Sequence, residues 1–271
     1  MDALVDVRWI QTHPAARLVD LRWAPQGPKA IDRYRAGHLP GAAFVDLDTD
    51  LAQPGGPGRH PFPAVERFAA LLGRLGIGAG TEVVVYDDGS GAIAARLWFM
   101  LRVHGHARAA VLDGGLAAWT AAGLALSTVE PRIEPVAPPA LLRDESRLVD
   151  RAAVAARPAD ALLLDARAPE RYRGEVEPID RAAGHIPGAV NAPFSGNLLP
   201  TGRFKAPAAL RELYLGLGAG SASSVIASCG SGVTACHDLL ALELAGIQGA
   251  RLYVGSWSDW SSAGGPIATG P

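Results

Sequence analysis

Cysteine is scarce: Cys229 and Cys236 are the only two in 271 residues. Both fall in one short segment that reads as a strand turning into a helix, so no disulfide framework is expected and reduced thiols in a reducing compartment are. Lysine is equally rare, with Lys29 and Lys205 alone, so almost all positive charge is arginine. Charge of one sign is missing too. Lys+Arg 25 against Asp+Glu 27 leaves a net −2, which gives no driving force toward a phosphate backbone, so no nucleic-acid partner is expected. Long hydrophobic runs are absent: residues 92–100 and 109–118 are interrupted by Arg96 and by Asp113-Gly114-Gly115, well short of the ~20 apolar residues of a membrane span. The opening residues carry Asp2, Asp6, Arg8 and His13, with neither the basic nor the apolar stretch of an export signal, and a cytoplasmic location with no membrane partner is the expectation. No Cys-x-x-Cys or His-x₃-His pair accompanies Cys236 and His237, so no metal site is expected.

Apolar content is ample. Hydrophobic residues make up 49% and charged residues 19%, a globular composition long enough for two ordinary domains. The chain repeats itself. Val19-Asp20-Leu21-Arg22 is echoed by Leu164-Asp165-Ala166-Arg167, and Gly37-His38-Leu39-Pro40-Gly41-Ala42 by Gly184-His185-Ile186-Pro187-Gly188-Ala189. The run from Val84 to Gly91 matches that from Val225 to Gly232, and Trp119 matches Trp260. Landmarks in one order at near-constant spacing define a duplicated domain, with copies at 1–124 and 148–271. Between them, residues 125–147 carry Pro131, Pro135, Pro138 and Pro139, which favours an extended linker. Short β-rich runs at 17–21, 82–86 and 109–112, and again at 161–164, 224–227 and 250–254, alternate with helical patterns at 64–75, 93–103, 206–215 and 233–245. Such alternation predicts an α/β fold in which each copy is a parallel sheet flanked by helices.

The chemistry concentrates after the strand at 224–227, where Cys229-Gly230-Ser231-Gly232 turns into a helix opening with Val233-Thr234-Ala235. A cysteine at the carboxyl end of a parallel strand sits where α/β sheets bind ligands. Glycines at 230 and 232 let the backbone N–H groups turn inward, and with the helix dipole they favour thiolate over thiol. Local chemistry alone leaves an activated nucleophile and a buried core cysteine as alternatives.

The segment Cys-Gly-Ser-Gly-Val-Thr-Ala at 229–235 resembles the active-site loop of the tandem-domain rhodanese family, in its 3-mercaptopyruvate sulfurtransferase branch. Asp165-Ala166-Arg167, Glu170-Arg171-Tyr172-Arg173-Gly174, Gly184 to Ala189, and Tyr253 to Trp260 are similar to further motifs of that family. The resemblance implies two rhodanese-like domains, the second catalytic and the first without the nucleophile. An ungapped comparison puts Asp88 in its place, as a loop carboxylate accepting N–H groups of Gly89 to Gly91.

The resemblance also implies an activity: sulfur transfer through a Cys229 persulfide, cradled by the amides of Gly230, Ser231, Gly232, Val233, Thr234 and Ala235, with no cofactor. The donor would be 3-mercaptopyruvate or thiosulfate and the acceptor a thiol, such as thioredoxin or glutathione, or cyanide. Neutral Gly230 and Ser231 favour mercaptopyruvate, whose carboxylate would be held by Arg171 and Arg181. Ser231 and His38 would form a proton relay, with Asp32 as its third member. A thiosulfate-preferring enzyme is the alternative and a rhodanese-like binding module the remote one. Cysteine phosphatases need Cys-x₅-Arg, and phosphatase activity is not expected because the sixth residue after Cys229 is Ala235.

Overall fold

The computed structural model describes residues 1–271, which divide into two units. The first comprises residues 1–53, 63–144 and 200–203; the second comprises 54–62, 145–199 and 204–271. The division is therefore not contiguous. A loop of the amino-terminal half, rich in glycine and proline, belongs to the second unit.

The first unit runs β1 (Leu4–Val5), α1 (Val7–Thr12), β2 (Arg17–Asp20), α2 (Ala30–Ala36), β3 (Ala43–Phe44), α3 (Val65–Arg74), β4 (Val83–Tyr86), α4 (Ala94–Val103), β5 (Ala109–Leu112) and α5 (Gly115–Ala121). Its five strands lie in the order β1-β5-β4-β2-β3, all parallel. The second unit repeats the plan with β6 (Leu148–Val149), α6 (Arg151–Ala155), β7 (Leu162–Asp165), α7 (Pro169–Tyr172), β8 (Ala189–Asn191), α8 (Pro207–Gly216), β9 (Val225–Ser228), α9 (Ala235–Leu244), β10 (Arg251–Tyr253) and α10 (Ser256–Ser262). Its order, β6-β10-β9-β7-β8, is the same, and again every pair is parallel.

The central strands read as unbroken apolar runs because both faces are covered: Val83 to Tyr86 and Val225 to Ser228 are buried at every position. Burying each Val or Leu contributes about 1.5–3 kcal/mol. Helix α3 buries Phe68, Leu71 and Leu72 along one stripe, the spacing a 3.6-residue period requires, whereas α4 and α9 are buried almost all round. Aspartates cap the first helix of each unit, Asp6 accepting from the Trp9 N–H at 2.8 Å and Asp150 from the Ala153 N–H at 2.7 Å, which satisfies an otherwise orphaned helix donor.

The proline-rich segment after α5 is extended and hydrogen-bonds to the first unit, Ser127 to His38, Val136 to the Gly73 carbonyl and Asp144 to the Val103 carbonyl. Asp165 and Arg167 join in a buried ion pair, Nη2 to Oδ2 at 2.7 Å, and Arg167 also reaches the Gly184 carbonyl at 2.7 Å. Asp20, Arg22 and the Gly37 carbonyl repeat this in the first unit. These pairs brace the ends of β7 and β2, next to which the loops of interest lie.

Candidate active site

Cys229 follows the last residue of β9 and is buried, with its backbone held on both sides. Its N–H donates to Ser256 Oγ at 3.0 Å. Its carbonyl accepts the Trp257 N–H at 2.9 Å, and the Gly230 carbonyl accepts the Ser258 N–H at 2.8 Å. Donors at the start of α10 thus fix the two residues at the turn. Ser256 has φ of 51°, a left-handed conformation that costs a non-glycine residue roughly 1–2 kcal/mol. The hydroxyl explains the serine: it accepts from Cys229 and donates to the Tyr253 carbonyl at 2.8 Å. The first unit has Gly115 at the corresponding place, also at φ 51°. There a Cβ would lie 2.5 Å from the Asp87 carbonyl oxygen, so only glycine fits.

Strand register corrects one expectation. β2 pairs Asp20 with Tyr86, and β7 pairs Asp165 with Ser228, so Tyr86 corresponds to Ser228 and the next residue, Asp87, corresponds to Cys229. Helices α4 and α9 start at Ala94 and Ala235, which leaves one more residue in the first loop. The residue in the nucleophile's place is Asp87, not Asp88. Asp87 Oδ1 accepts the N–H groups of Gly89 and Gly91 at 3.0 and 2.9 Å, and Oδ2 those of Ile93 and Ala94 at 2.9 and 3.2 Å. Asp88 instead points outward to pair with Arg33 at 2.7 Å. The first loop therefore wraps a negative charge with four amides. In the second unit the loop has the same left-handed glycine, Gly232 at φ 74° against Gly91 at 76°, and a sulfur at the position of the carboxylate.

Ser231 is buried in this loop, and its Oγ shares a hydrogen bond of 2.7 Å with Nδ1 of His60. His60 belongs to the 54–62 loop, which is fastened to α10 by the Arg59 N–H donating to Ser258 Oγ at 3.1 Å. The histidine expected here, His38, is elsewhere. Its Nδ1 faces the Tyr34 carbonyl at 2.8 Å and its Nε2 the Val129 carbonyl at 3.1 Å, with the ring stacked on Tyr34 at 3.9 Å. His185 does the same in the second unit, facing the Tyr172 carbonyl at 2.8 Å and stacked on Tyr172 at 3.8 Å. The repeated histidine is a structural one in both copies. Asp32 lies on an exposed face of α2 in the first unit and is not part of the Ser231–His60 pair.

Arg171, from α7, approaches the loop: a Cβ built on Gly230 would lie 3.7 Å from both of its terminal nitrogens. It is held by Glu177 Oε1 at 2.6 Å and Asp180 Oδ2 at 3.2 Å. Arg59 pairs with the other oxygen of Asp180. Burial raises the Asp180 carboxyl above its ordinary value, against the pull of Arg59. Burial pushes Glu177 the same way, but hydrogen bonds from Arg171 and from the Asp180 and Ile179 amides outweigh it and the net shift is downward. For Arg167, burial is likewise overcome, by Asp165, Glu177 and Cys229, and its guanidinium is held more firmly charged. Arg181 is exposed and lines a cavity of about 510 Å³ together with Arg59, Arg151, Asp180, Ser258 and Asp259. Cys236 is buried in α9, its Sγ 3.3 Å from the Gly232 carbonyl.

The fold and the loop define an α/β protein that carries a cysteine at a strand end, at the position where its other copy wraps a carboxylate in main-chain amides. The Rhodanese-like domain family matches residues 4–122 and again 150–263, and the chain belongs to that family. It is 46% identical over 271 residues to a probable 3-mercaptopyruvate sulfurtransferase of Pseudomonas aeruginosa, covering 96% of this chain and 94% of the relative. It is 34% identical over 272 residues to the thiosulfate sulfurtransferase of Rattus norvegicus, covering 95% and 91%. The crystal structure of SseA from Escherichia coli, a 3-mercaptopyruvate sulfotransferase, matches with a TM-score of 0.83 at 32% identity, covering 95% of this chain and all of that one.

Proposed function

We propose that this enzyme is a sulfurtransferase that takes a sulfane sulfur from 3-mercaptopyruvate onto Cys229 and passes it to a thiol or to cyanide. The observation that carries this reading is Asp87: where the first copy places a carboxylate, four amides converge on it, so the loop is built around an anion. With a cysteine there, the corresponding amides of residues 230–235 stabilise the outer sulfur of a persulfide, as an oxyanion hole favours an oxyanion.

In the first step the Cys229 thiolate attacks the donor sulfur. The S–S bond forms as the C–S bond breaks, and the electron pair goes to carbon as the enolate of pyruvate. The donor thiol gives up its proton while C3 needs one, and the Ser231–His60 pair is placed to pass it on. Arg171 and Arg181 hold the donor carboxylate. In the second step a thiolate takes the outer sulfur and returns Cys229 to its starting state; thioredoxin and glutathione are acceptors of that class. No cofactor enters either step. No helix is long and apolar enough to cross a membrane, and we place the enzyme in the cytoplasm, where its thiols stay reduced.

Assay of pyruvate from mercaptopyruvate and of sulfite from thiosulfate, on one preparation, tests the reading. Higher kcat/KM with mercaptopyruvate is expected. A clear thiosulfate preference would overturn the donor assignment, and no transfer with either donor would overturn the activity.

A further inference from the structure

The residue after the nucleophile is glycine, and the space its side chain would fill is lined by guanidinium nitrogens. A Cβ on Gly230 would meet Arg59 Nη2 at 3.0 Å and the two terminal nitrogens of Arg171 at 3.7 Å. Two guanidinium groups, one from the 54–62 loop and one from α7, therefore flank the same backbone carbon. A single carboxylate joins them: Asp180 offers Oδ1 to Arg59 and Oδ2 to Arg171. Glu177 neutralises Arg171 further at 2.6 Å. The side chain of Arg59 is 31% exposed against 4% for Asp180, so it is the more accessible member and lines the open cavity beside the loop.

The two donor classes differ in charge. Mercaptopyruvate brings one carboxylate, assigned above to Arg171 and Arg181, whereas the guanidiniums that flank Gly230 are those of Arg171 and Arg59. Thiosulfate is a compact dianion, whose second charge needs a second cation close to the reacting sulfur. We propose that Arg59 is a specificity-determining residue, the second guanidinium through which this site accepts a dianionic sulfur donor. The proposal rests on the sulfurtransferase reading. In its step the Cys229 thiolate attacks the outer sulfur of thiosulfate, the new S–S bond forms, the old one breaks, and sulfite leaves with the electron pair. Arg171 and Arg59 balance the charge carried by the three sulfonate oxygens as it passes to sulfite. No proton has to reach the leaving group, so His60 has no part in this branch.

The test compares kcat/KM for thiosulfate and for mercaptopyruvate in the wild type, Arg59→Ala and Arg59→Lys. Each ratio is taken on one preparation, so the fraction folded cancels. Losing a charge-assisted contact corresponds to about ten- to a hundred-fold. Arg59→Ala is expected to lower thiosulfate use, chiefly through KM, by that factor more than it lowers mercaptopyruvate use. Arg59→Lys keeps the charge and is expected to recover most of the thiosulfate loss. Equal losses with the two donors would mean that Arg59 only fastens its loop, and would overturn the proposal. So would a lysine variant no better than alanine on thiosulfate. A wild type inert with both donors would instead overturn the sulfurtransferase reading, and the proposal with it.

Discussion

His60 Nδ1 lies 2.7 Å from Ser231 Oγ, joining a loop of the amino-terminal half to the residue two positions after the nucleophile. If this pair carries the proton that the pyruvate enolate needs, His60→Ala slows turnover of mercaptopyruvate by the ~10²–10⁴-fold typical of a lost general acid–base group. Sulfite release from thiosulfate, which delivers no proton to carbon, changes far less. His38→Ala removes a ring stacked on Tyr34 and hydrogen-bonded to backbone carbonyls; it lowers stability and leaves the ratio of the two donor activities unchanged. Steady-state rates with both donors on the two variants check this. A donor-dependent effect in His38→Ala alone would reverse the assignment.

Asp87 and Asp88 are neighbours with opposite expected consequences. Asp87→Ala leaves four loop amides without their acceptor, several hydrogen bonds to a charged group at about 1.5–3 kcal/mol for one such bond. Unfolding of the first unit should shift by several kcal/mol. Asp88 is half exposed in its pair with Arg33, and such pairs contribute about 0–1 kcal/mol. Denaturant unfolding of the two alanine variants distinguishes them, and a larger loss at Asp88 would contradict the strand register deduced above.

Asp238 gives the fold a pH dependence. Its carboxyl is wholly enclosed; Oδ1 accepts from Asn197 Nδ2 at 2.8 Å while Oδ2 has no partner. Burial raises its pKa well above the ordinary value, opposed by Asn197 and Tyr214 and reinforced by the charge of Asp165. The unfolded chain releases this proton near pH 4 and the native chain holds it, so the contribution of Asp238 to stability falls as pH rises from about 4 through the native pKa. Asp238→Asn keeps an acceptor for Asn197 and removes the titration. Its Tm relative to wild type should therefore climb between pH 4 and 8, and a constant difference across that range would refute the account.

The central strands and the four long helices could be read from sequence because their apolar runs are long enough to carry a pattern. β1, β3 and β6 are two residues each and hold no periodicity, so register rather than propensity defines them. Cys229 stood out through its glycines, its place after a strand and its family motif. His60 and Arg59 did not, because they sit in an irregular loop of Gly and Pro where position follows from tertiary packing. The motif Gly-His-x-Pro-Gly-Ala pointed to His38, yet its recurrence around His185 was itself the sign of a shared structural bond to a tyrosine carbonyl. The exchange of Asp87 for Asp88 has a similar origin: one added loop residue is invisible to an ungapped comparison when two aspartates stand side by side.

Mass spectrometry of the enzyme after exposure to mercaptopyruvate or thiosulfate, without acceptor, tests the central claim most directly. One added sulfur atom is expected on the peptide containing residue 229, lost on addition of a thiol, absent in Cys229→Ser and retained in Cys236→Ser. Sulfur carried on Cys236 in place of Cys229, or turnover sustained by Cys229→Ser, would contradict it.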